Sequence, residues 1–203
     1  MNVGIEVLRR LDDGQVREVL DLVTDVGAHD GTVPLSEHVI LHLRHGGDAD
    51  VRNLLARAPD GSLSGFAHLD VTDLVEGPSG ELAVRPGERR RGIGHALVSE
   101  LISLADSTKS APGRLRLWAH GESSAAHALA TSMGFTRTRV LWQMRRSLYA
   151  QLPPVELPTR TALRAFRPGI DDEAWLALNA AAFDDLPDQG RWTREDLAQR
   201  MQE

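Results

Sequence analysis

Three consecutive arginines followed by two glycines give this 203-residue chain its most distinctive chemistry. Arg89, Arg90 and Arg91 precede Gly92-Ile93-Gly94, and an apolar pattern with helical spacing follows at once. Guanidinium groups bind phosphate oxygens well, and the free N–H groups at the start of a helix attract anions. Glycine lets the backbone turn and approach a ligand closely. The segment therefore predicts an anion site, and we expect a pyrophosphate to be the anion.

Two familiar phosphate loops do not fit these residues. The dinucleotide-binding fingerprint requires a third glycine where Leu97 stands, and the P-loop requires a Gly-Lys-Ser/Thr sequence that is absent. A basic turn between a strand and a helix is the remaining alternative. Three adjacent like charges repel one another unless an anion lies among them, which favours the anion site.

Composition restricts the classes of protein to which the chain can belong. Hydrophobic residues make up 41% and charged residues 26% of the sequence, which is enough apolar mass for a globular core. The net charge of −6 argues against a general nucleic-acid binder, so the arginines form a local site on an acidic protein. The absence of cysteine excludes disulfides and thiol catalysis and fits a reducing cytoplasm. Because the sequence has neither a signal peptide nor a membrane-length apolar run, we expect a cytoplasmic protein without nucleic-acid or membrane partners.

The elements that position the arginine–glycine loop follow from hydrophobic periodicity. Strands are predicted at 5–8, 51–57, 63–71, 82–84, 115–120 and 140–144, and helices at 16–23, 36–43, 96–105 and 123–133. Asp12 or Asp13 can cap the first helix, and Ser36 can cap the second. Pro59-Asp60-Gly61 predicts a hairpin between the second and third strands. The loop thus joins a strand to a helix whose first turn faces the expected anion.

This order of elements, over residues 3–147, resembles the GNAT-type N-acetyltransferases. Arg89-x-x-Gly92-x-Gly94 fits the family's signature for the pyrophosphate of acetyl-CoA, and Met133-Gly134-Phe135 fits its Leu-Gly-Phe close. The resemblance implies an α/β (α+β) fold with a mixed central sheet flanked by helices, and acetyl-CoA as co-substrate. It assigns to the coenzyme the backbone of the strand before the loop and the loop itself: Leu82, Ala83, Val84, Arg89, Arg90, Arg91, Gly92, Ile93, Gly94 and His95.

A closer resemblance is to the mycothiol synthases, which have two such domains in tandem. It extends over the segments 30–37, 83–94, 117–121, 143–146, 179–183 and 187–193. It implies that acetyl is transferred from acetyl-CoA to the cysteine amine of a cysteinyl-glucosaminyl-inositol, and that Glu37 and Asp188 help to bind this substrate. The family usually has Glu where Asp188 stands, so the reach of that side chain is shorter. For Glu37 the alternative is compensation of the helix dipole.

Prolines at 153, 154 and 158 indicate a linker. Beyond it the pattern of the first strand and helix recurs at 163–166 and 171–181, which is a weak internal repeat. The chain is therefore divided into a GNAT domain at 1–150, a linker at 151–162 and the N-terminal fragment of a second GNAT domain at 163–203. About forty residues cannot bury a full core alone. The fragment is expected to dock on the first domain, to stay partly ordered, or to open a domain that is missing from this chain.

Acetyl transfer requires a group that accepts the proton of the amine. Glu81 and His120 lie near the coenzyme strand and are the candidate bases, with a structural role as the alternative for each. The tyrosine and asparagine common in the family's last helix are replaced by Ala130 and Ser123, and the only tyrosine, Tyr149, lies beside the linker. By the resemblance, the domain can bind coenzyme but is poorly equipped to complete catalysis.

Two histidines, His38 and His42, lie one helical turn apart, a spacing at which imidazoles can share a metal. No carboxylate motif accompanies them, so we expect solvated helix histidines and no metal site. Three hypotheses about function stay open: a mycothiol synthase that is truncated or split, a GNAT enzyme acting on another small amine, and a non-catalytic acetyl-CoA-binding domain that needs a second GNAT domain as partner.

Overall fold

The computed structural model describes residues 4–46, 50–73, 76–108, 113–152, 154, 156–184 and 192–202. The chain divides into two compact units, Met1–Phe135 and Thr136–Glu203. Asp188, which the resemblance assigns to the substrate, lies outside the described residues. Among the described helices, none combines the length and the apolar character that crossing a bilayer requires.

The first unit is built on a five-stranded sheet in the order β1-β2-β3-β4-β5. Its strands are β1 (Gly4–Leu8), β2 (Val51–Arg57), β3 (Leu63–Asp70), β4 (Ser79–Val84) and β5 (Arg116–Leu117). The first four pair antiparallel with their neighbours, and β5 runs parallel to β4. The helices are α1 (Asp13–Asp30), α2 (Glu37–His45), α3 (Ile93–Asp106) and α4 (Ser124–Ser132). The predicted mixed sheet with flanking helices is confirmed.

Two apolar layers hold the helices to the two faces of the sheet. Because successive side chains of a strand point to opposite faces, Leu55 and Phe66 pack with α1 and α2, while Leu54 and Ala67 pack with α3. All four of these side chains are fully buried. The alternation in β2 and β3 therefore gives the sheet a core on each side, which fixes the positions of the loops at its ends.

Local capping signals set most helix boundaries. Asp12 caps α1, and its carboxylate accepts the Gln15 N–H at 2.8 Å while the Gln15 side chain accepts the Asp12 N–H. Ser36 caps α2 as predicted. At the end of α4, Gly134 has a φ of 81°, and the Phe135 N–H donates to the Ala130 carbonyl at 2.9 Å. The predicted Gly-Phe termination of that helix is confirmed.

Three predicted strands differ from the structure. β5 extends over only two residues instead of 115–120, and the segments 140–144 and 163–166 form no strand. The side chains of Trp142 and Met144 are 81% and 89% exposed. An alternating sequence becomes a strand only where a neighbouring strand takes up its hydrogen bonds, and the described part of the second unit contains no strand.

The second unit contains two short helices, α5 (Asp172–Ala182) and α6 (Arg194–Arg200). α5 confirms the helix expected after Asp171. Trp175 of α5 meets Trp192 edge to face with ring centroids 5.5 Å apart, an arrangement that aromatic pairs favour. The domain boundaries at 150 and 163 stay predictions.

Candidate functional site

β4 and β5, the last two strands in the sheet order, separate after only two paired residues each. The last hydrogen bond between them runs from the Trp118 N–H to the Gly80 carbonyl at 3.0 Å, and the paired residues are only Ser79 with Arg116 and Gly80 with Leu117. β4 continues to Val84 on the other side, paired with β3. A split therefore opens between β4 and β5 beyond Gly80.

The backbone of Leu82 faces this split. The Arg85 N–H donates to the Ser64 carbonyl on β3 at 2.9 Å, so the odd-numbered residues of β4 direct their backbone groups toward β3. By alternation, the backbone groups of Leu82 and Val84 point toward β5, and those of Ala83 are used within the sheet. Among the described residues, the N–H and C=O of Leu82 have no partner. Of the three strand residues expected at the coenzyme, Leu82 and Val84 have this orientation.

The N-terminus of α3 lies at the end of the loop that follows β4. Gly92 is its N-cap with a φ of 85°, a left-handed conformation that favours glycine, and no side chain caps the helix. The first bond of the helix is from the Ala96 N–H to the Gly92 carbonyl, at 2.9 Å. The N–H groups of Ile93, Gly94 and His95 therefore have no acceptor within the described chain. These N–H groups lie at the positive end of the helix dipole, at the position where the sequence predicts an anion site.

The two glycines of the loop have different functions. Gly92 supplies the left-handed turn, and a Cβ atom there would meet open space. A Cβ atom on Gly94 would lie 3.2 Å from Leu129 Cδ2 of α4. Gly94 thus lets the first turn of α3 approach α4 closely. The Ile93 side chain is buried in the core, so this residue can offer a ligand only its backbone.

The three arginines are not the uncompensated cluster that the sequence suggests. Arg91 Nη1 donates to Glu88 Oε2 at 2.9 Å, and Arg89 binds Asp30 through two hydrogen bonds. Carboxylates of the protein thus supply counter-charge to Arg89 and Arg91, so repulsion among the three arginines does not by itself require a bound anion. Their assignment to the coenzyme stays a prediction. Arg90 makes no hydrogen bond or ion pair with the described residues, and it is exposed with a φ of 64°.

Glu81 and His120, the two candidate bases, lie together beside the split. His120 Nε2 is 3.3 Å from Glu81 Oε2, which also accepts the Ser36 N–H at 2.5 Å. Burial alone would raise the pKa of the Glu81 carboxyl, but the hydrogen bonds from His120 and Ser36 outweigh it, and the pKa lies below its usual value. The Glu81 carboxylate is therefore ionised at neutral pH. Glu37 is exposed in the first turn of α2, directly after Ser36.

A buried polar row that the sequence analysis missed leads into this pair. Asn53, His68 and Glu81 are opposite one another on β2, β3 and β4, and each is at most 7% exposed. Asn53 Nδ2 donates to the Arg9 carbonyl at 3.4 Å, so its Oδ1 accepts the Nδ1–H of His68 at 3.0 Å. The bond fixes the tautomer of His68 with a lone pair on Nε2. The sequence does contain a signal for this row, because each of three successive strands has a polar residue at a position that faces the core.

Acid should destabilise the first unit through His68. The pKa of His68 is lowered from its usual 6.5 to about 4, mainly by burial; the nearby His42 and His38 contribute to this shift, and Asp70 and Glu81 oppose it. Between pH 6.5 and 4, His68 binds a proton in the unfolded chain but not in the folded chain. The contribution of neutral His68 to the free energy of unfolding is therefore fully present above pH 6.5 and is lost as the pH falls toward 4. We expect a loss of roughly 3 kcal/mol across this window. Urea unfolding at a series of pH values, followed by circular dichroism, measures it.

The matched variants separate His68 from the other histidines. His68→Gln should flatten the slope between pH 6.5 and 4, although it lowers stability at neutral pH. His127→Gln, at an exposed position of α4, should leave the slope unchanged. An equal slope in wild type and His68→Gln would contradict a buried neutral imidazole at this position.

The histidines of α2 pack against each other and against His68. The ring centroids of His38 and His42 are 4.1 Å apart, and those of His42 and His68 are 6.2 Å apart with an edge-on geometry. Within the described ranges, no group of three or more His, Cys, Asp or Glu side chains is arranged to hold a metal ion. His42 and His68 therefore contribute to the packing between α2 and the sheet.

Sequence comparison matches residues 29–135 to the family described as acetyltransferase (GNAT) family. The chain is 53% identical over 204 residues to a mycothiol acetyltransferase from Acidothermus cellulolyticus, covering all of this chain and 61% of that protein. It is 52% identical to a mycothiol acetyltransferase from Streptosporangium roseum, covering all of this chain and 58% of that protein. The chain thus spans about 60% of the length of these relatives.

Solved structures share the fold. A GCN5-related N-acetyltransferase from Sphaerobacter thermophilus superposes with a TM-score of 0.67 at 24% identity, covering 98% of this chain and 63% of that one. A phosphinothricin acetyltransferase from Sinorhizobium meliloti, in complex with AcCoA, gives a TM-score of 0.51 at 17% identity, covering 66% and 75% of the two chains. At these identities the likeness extends to the fold alone.

Proposed function

Because the chain belongs to the acetyltransferase (GNAT) family, we propose that its first unit binds acetyl-CoA and presents the thioester to a primary amine. The observation that carries this proposal is the split between β4 and β5, which opens next to the uncapped N-terminus of α3. The split offers unpaired strand backbone, and the helix offers N–H groups to an anion.

The residues along the split fit the parts of the coenzyme. The unpaired N–H and C=O of Leu82 suit the amides of a pantetheine arm. The N–H groups of Ile93, Gly94 and His95 suit the pyrophosphate, and exposed Arg90 adds positive charge beside them. Acetyl-CoA would supply the activated acetyl group, and the protein would hold it and exclude water.

The acceptor that best fits the relatives is a cysteinyl-glucosaminyl-inositol, acetylated on its cysteine amine to form mycothiol. Identities of 53% and 52% over the whole chain to mycothiol acetyltransferases support this choice. Glu37 is exposed and directly follows Ser36, whose N–H binds Glu81. We propose that Glu37 binds the polar acceptor. Asp188 is proposed for the same function on the resemblance alone.

Transfer requires an amine that has lost its proton before nitrogen attacks the thioester carbonyl. The Glu81–His120 pair is proposed to accept that proton, directly or through a water molecule. Glu81 directly precedes Leu82 on β4, and its carboxylate contacts His120, which follows β5. Glu81 belongs to β4, the strand proposed to bind the coenzyme, and it also accepts the Ser36 N–H from the loop between α1 and α2, where the acceptor is proposed to bind.

A non-catalytic acetyl-CoA-binding domain is the second candidate. The sequence has only one tyrosine, Tyr149, which is fully exposed and lies in the second unit, and Ala130 occupies the α4 position where the family's phenol is expected. A departing thiolate would therefore need a proton from another source. This candidate requires a second GNAT domain as partner.

One experiment separates these functions. The chain is titrated with acetyl-CoA by calorimetry and then incubated with acetyl-CoA and the cysteinyl-glucosaminyl-inositol, and the product is measured by mass spectrometry. We expect coenzyme binding and an N-acetylated product. Binding without product favours the non-catalytic domain, and product only with other members of a small-amine panel favours a different acceptor. Absence of coenzyme binding contradicts all three.

A further inference from the structure

The loop between α1 and α2, residues 31–36, is held at its two ends by the two parts of the candidate site. Asp30, which precedes the loop, binds Arg89 of the arginine–glycine loop. Ser36, which ends it, donates its N–H to Glu81 of β4. The α1–α2 loop is therefore attached to the residues of the coenzyme site and to those of the acceptor site.

Every nitrogen of the Arg89 guanidinium donates a hydrogen bond to the protein, so three of its five N–H groups are engaged. Its Nη1 and Nη2 atoms donate to the two Asp30 oxygens at 2.9 and 2.6 Å, and its Nε donates to the Val84 carbonyl at 3.2 Å. Such two-point pairing fixes the guanidinium plane. The hydrogen bonds from Arg89 hold the pKa of the Asp30 carboxyl at about 2, so the pair is charged at any physiological pH. Arg89 thus connects α1, the end of β4 and the arginine–glycine loop.

Thr32, near the start of the α1–α2 loop, lies against Gly121, which follows β5. Gly121, directly after His120, has a φ of 72°, and a Cβ atom on it would lie 3.0 Å from Thr32 Oγ1. At this positive φ a side chain would be strained, and a Cβ atom would also require Thr32 to shift by a few tenths of an ångström. Leu35 is buried in the core and fixes the far end of the loop. Asp30 and Ser36, at the two ends of the loop, therefore bind Arg89 and Glu81 on the β4 side, and Thr32 approaches Gly121 on the β5 side.

We propose that the α1–α2 loop couples coenzyme binding to the ordering of the acceptor site, and that Arg89 and Asp30 are the positioning pair that transmits it. The inference rests on the proposed function, because it requires a coenzyme that lies in the split and contacts both the β4 side and the β5 side, to which the loop is attached. Arg89 then has a structural function and does not bind the pyrophosphate. The family signature, in contrast, predicts that Arg89 contacts the coenzyme. Coupling of this kind is reciprocal, so an ordered loop also favours coenzyme.

The test is hydrogen exchange of the 31–36 peptide, measured by mass spectrometry with and without CoA. In wild type, CoA should slow exchange of this loop by at least about 5-fold, the scale of a coupling near 1 kcal/mol. Asp30→Asn and Arg89→Gln should each abolish the slowing, while calorimetric Kd values for CoA rise less than about 5-fold. The exchanged pair Asp30→Arg with Arg89→Asp should restore part of the slowing.

Control variants make the result decisive. Arg57→Gln removes a comparable pair, in which Arg57 Nη2 lies 2.7 Å from Glu18 of α1, and should leave the slowing intact. If Arg89→Gln weakens CoA binding far more than Asp30→Asn does, Arg89 is a phosphate ligand and the inference is overturned. CoA binding without any slowing in wild type overturns the inference alone. If wild type does not bind CoA, the proposed function and the inference both fail.

Discussion

Replacing Gly92 with aspartate is expected to weaken the binding of CoA by roughly 100-fold, which corresponds to about 2.7 kcal/mol. Gly92 is the N-cap of α3 with a φ of 85°, and the N–H groups that follow it are the backbone donors proposed for the pyrophosphate. A carboxylate at this position places negative charge where an anion must bind and also competes for the same N–H groups. Isothermal titration of wild type and variant with CoA measures the change.

Gly113→Asp is the matched control for this variant. Gly113 has a φ of 78°, and a Cβ atom on it would also meet open space. The control therefore carries the same backbone strain and the same added charge at a position before β5, remote in sequence from the arginine–glycine loop. It should bind CoA as wild type does. Unchanged affinity in Gly92→Asp would show that the pyrophosphate binds elsewhere.

Replacing Glu81 with glutamine should lower kcat for acetyl transfer by about 100-fold or more, the scale for removing a general base. The amide can still accept the Ser36 N–H, but it cannot take the proton of the amine or stabilise a protonated His120. Binding of CoA should stay within a few-fold of wild type, because Glu81 directs its backbone toward β3. Steady-state rates at saturating concentrations of both substrates measure the effect.

Glu100→Gln, on the half-exposed side of α3, is the control for this substitution. It removes one carboxylate from the same unit without changing the Glu81–His120 pair, and its kcat should equal that of wild type. An unchanged kcat in Glu81→Gln, with the fold intact by circular dichroism, would assign Glu81 and His120 to a structural function. The proton acceptor would then have to be another group.

The parts of the fold that the sequence predicts correctly depend on local signals. α1 and α2 begin at side-chain caps, and the β2–β3 hairpin turns at Pro59-Asp60-Gly61. The arginine–glycine loop is recognisable because glycine and helix periodicity lie within a few residues of each other. In each case the residues that decide the structure are neighbours in the chain.

The features that the sequence does not predict depend on distant partners. Arg89 and Asp30 are 59 residues apart, so nothing in the motif indicates that the arginine is already paired. The Asn53–His68–Glu81 row exists only because three strands adopt one register. The 140–144 segment has the pattern of a strand, but a strand also needs a neighbour, and its sequence does not supply one.

A crystal structure of this chain with CoA tests the central claim most directly. We expect pyrophosphate oxygens within about 3 Å of the N–H groups of Ile93, Gly94 and His95, the hydrogen-bond distance for N–H donors. We also expect that the pantetheine arm bonds to the Leu82 backbone in the split between β4 and β5, and that Arg89 remains paired with Asp30. A coenzyme bound elsewhere, with the start of α3 free of phosphate, would contradict the account.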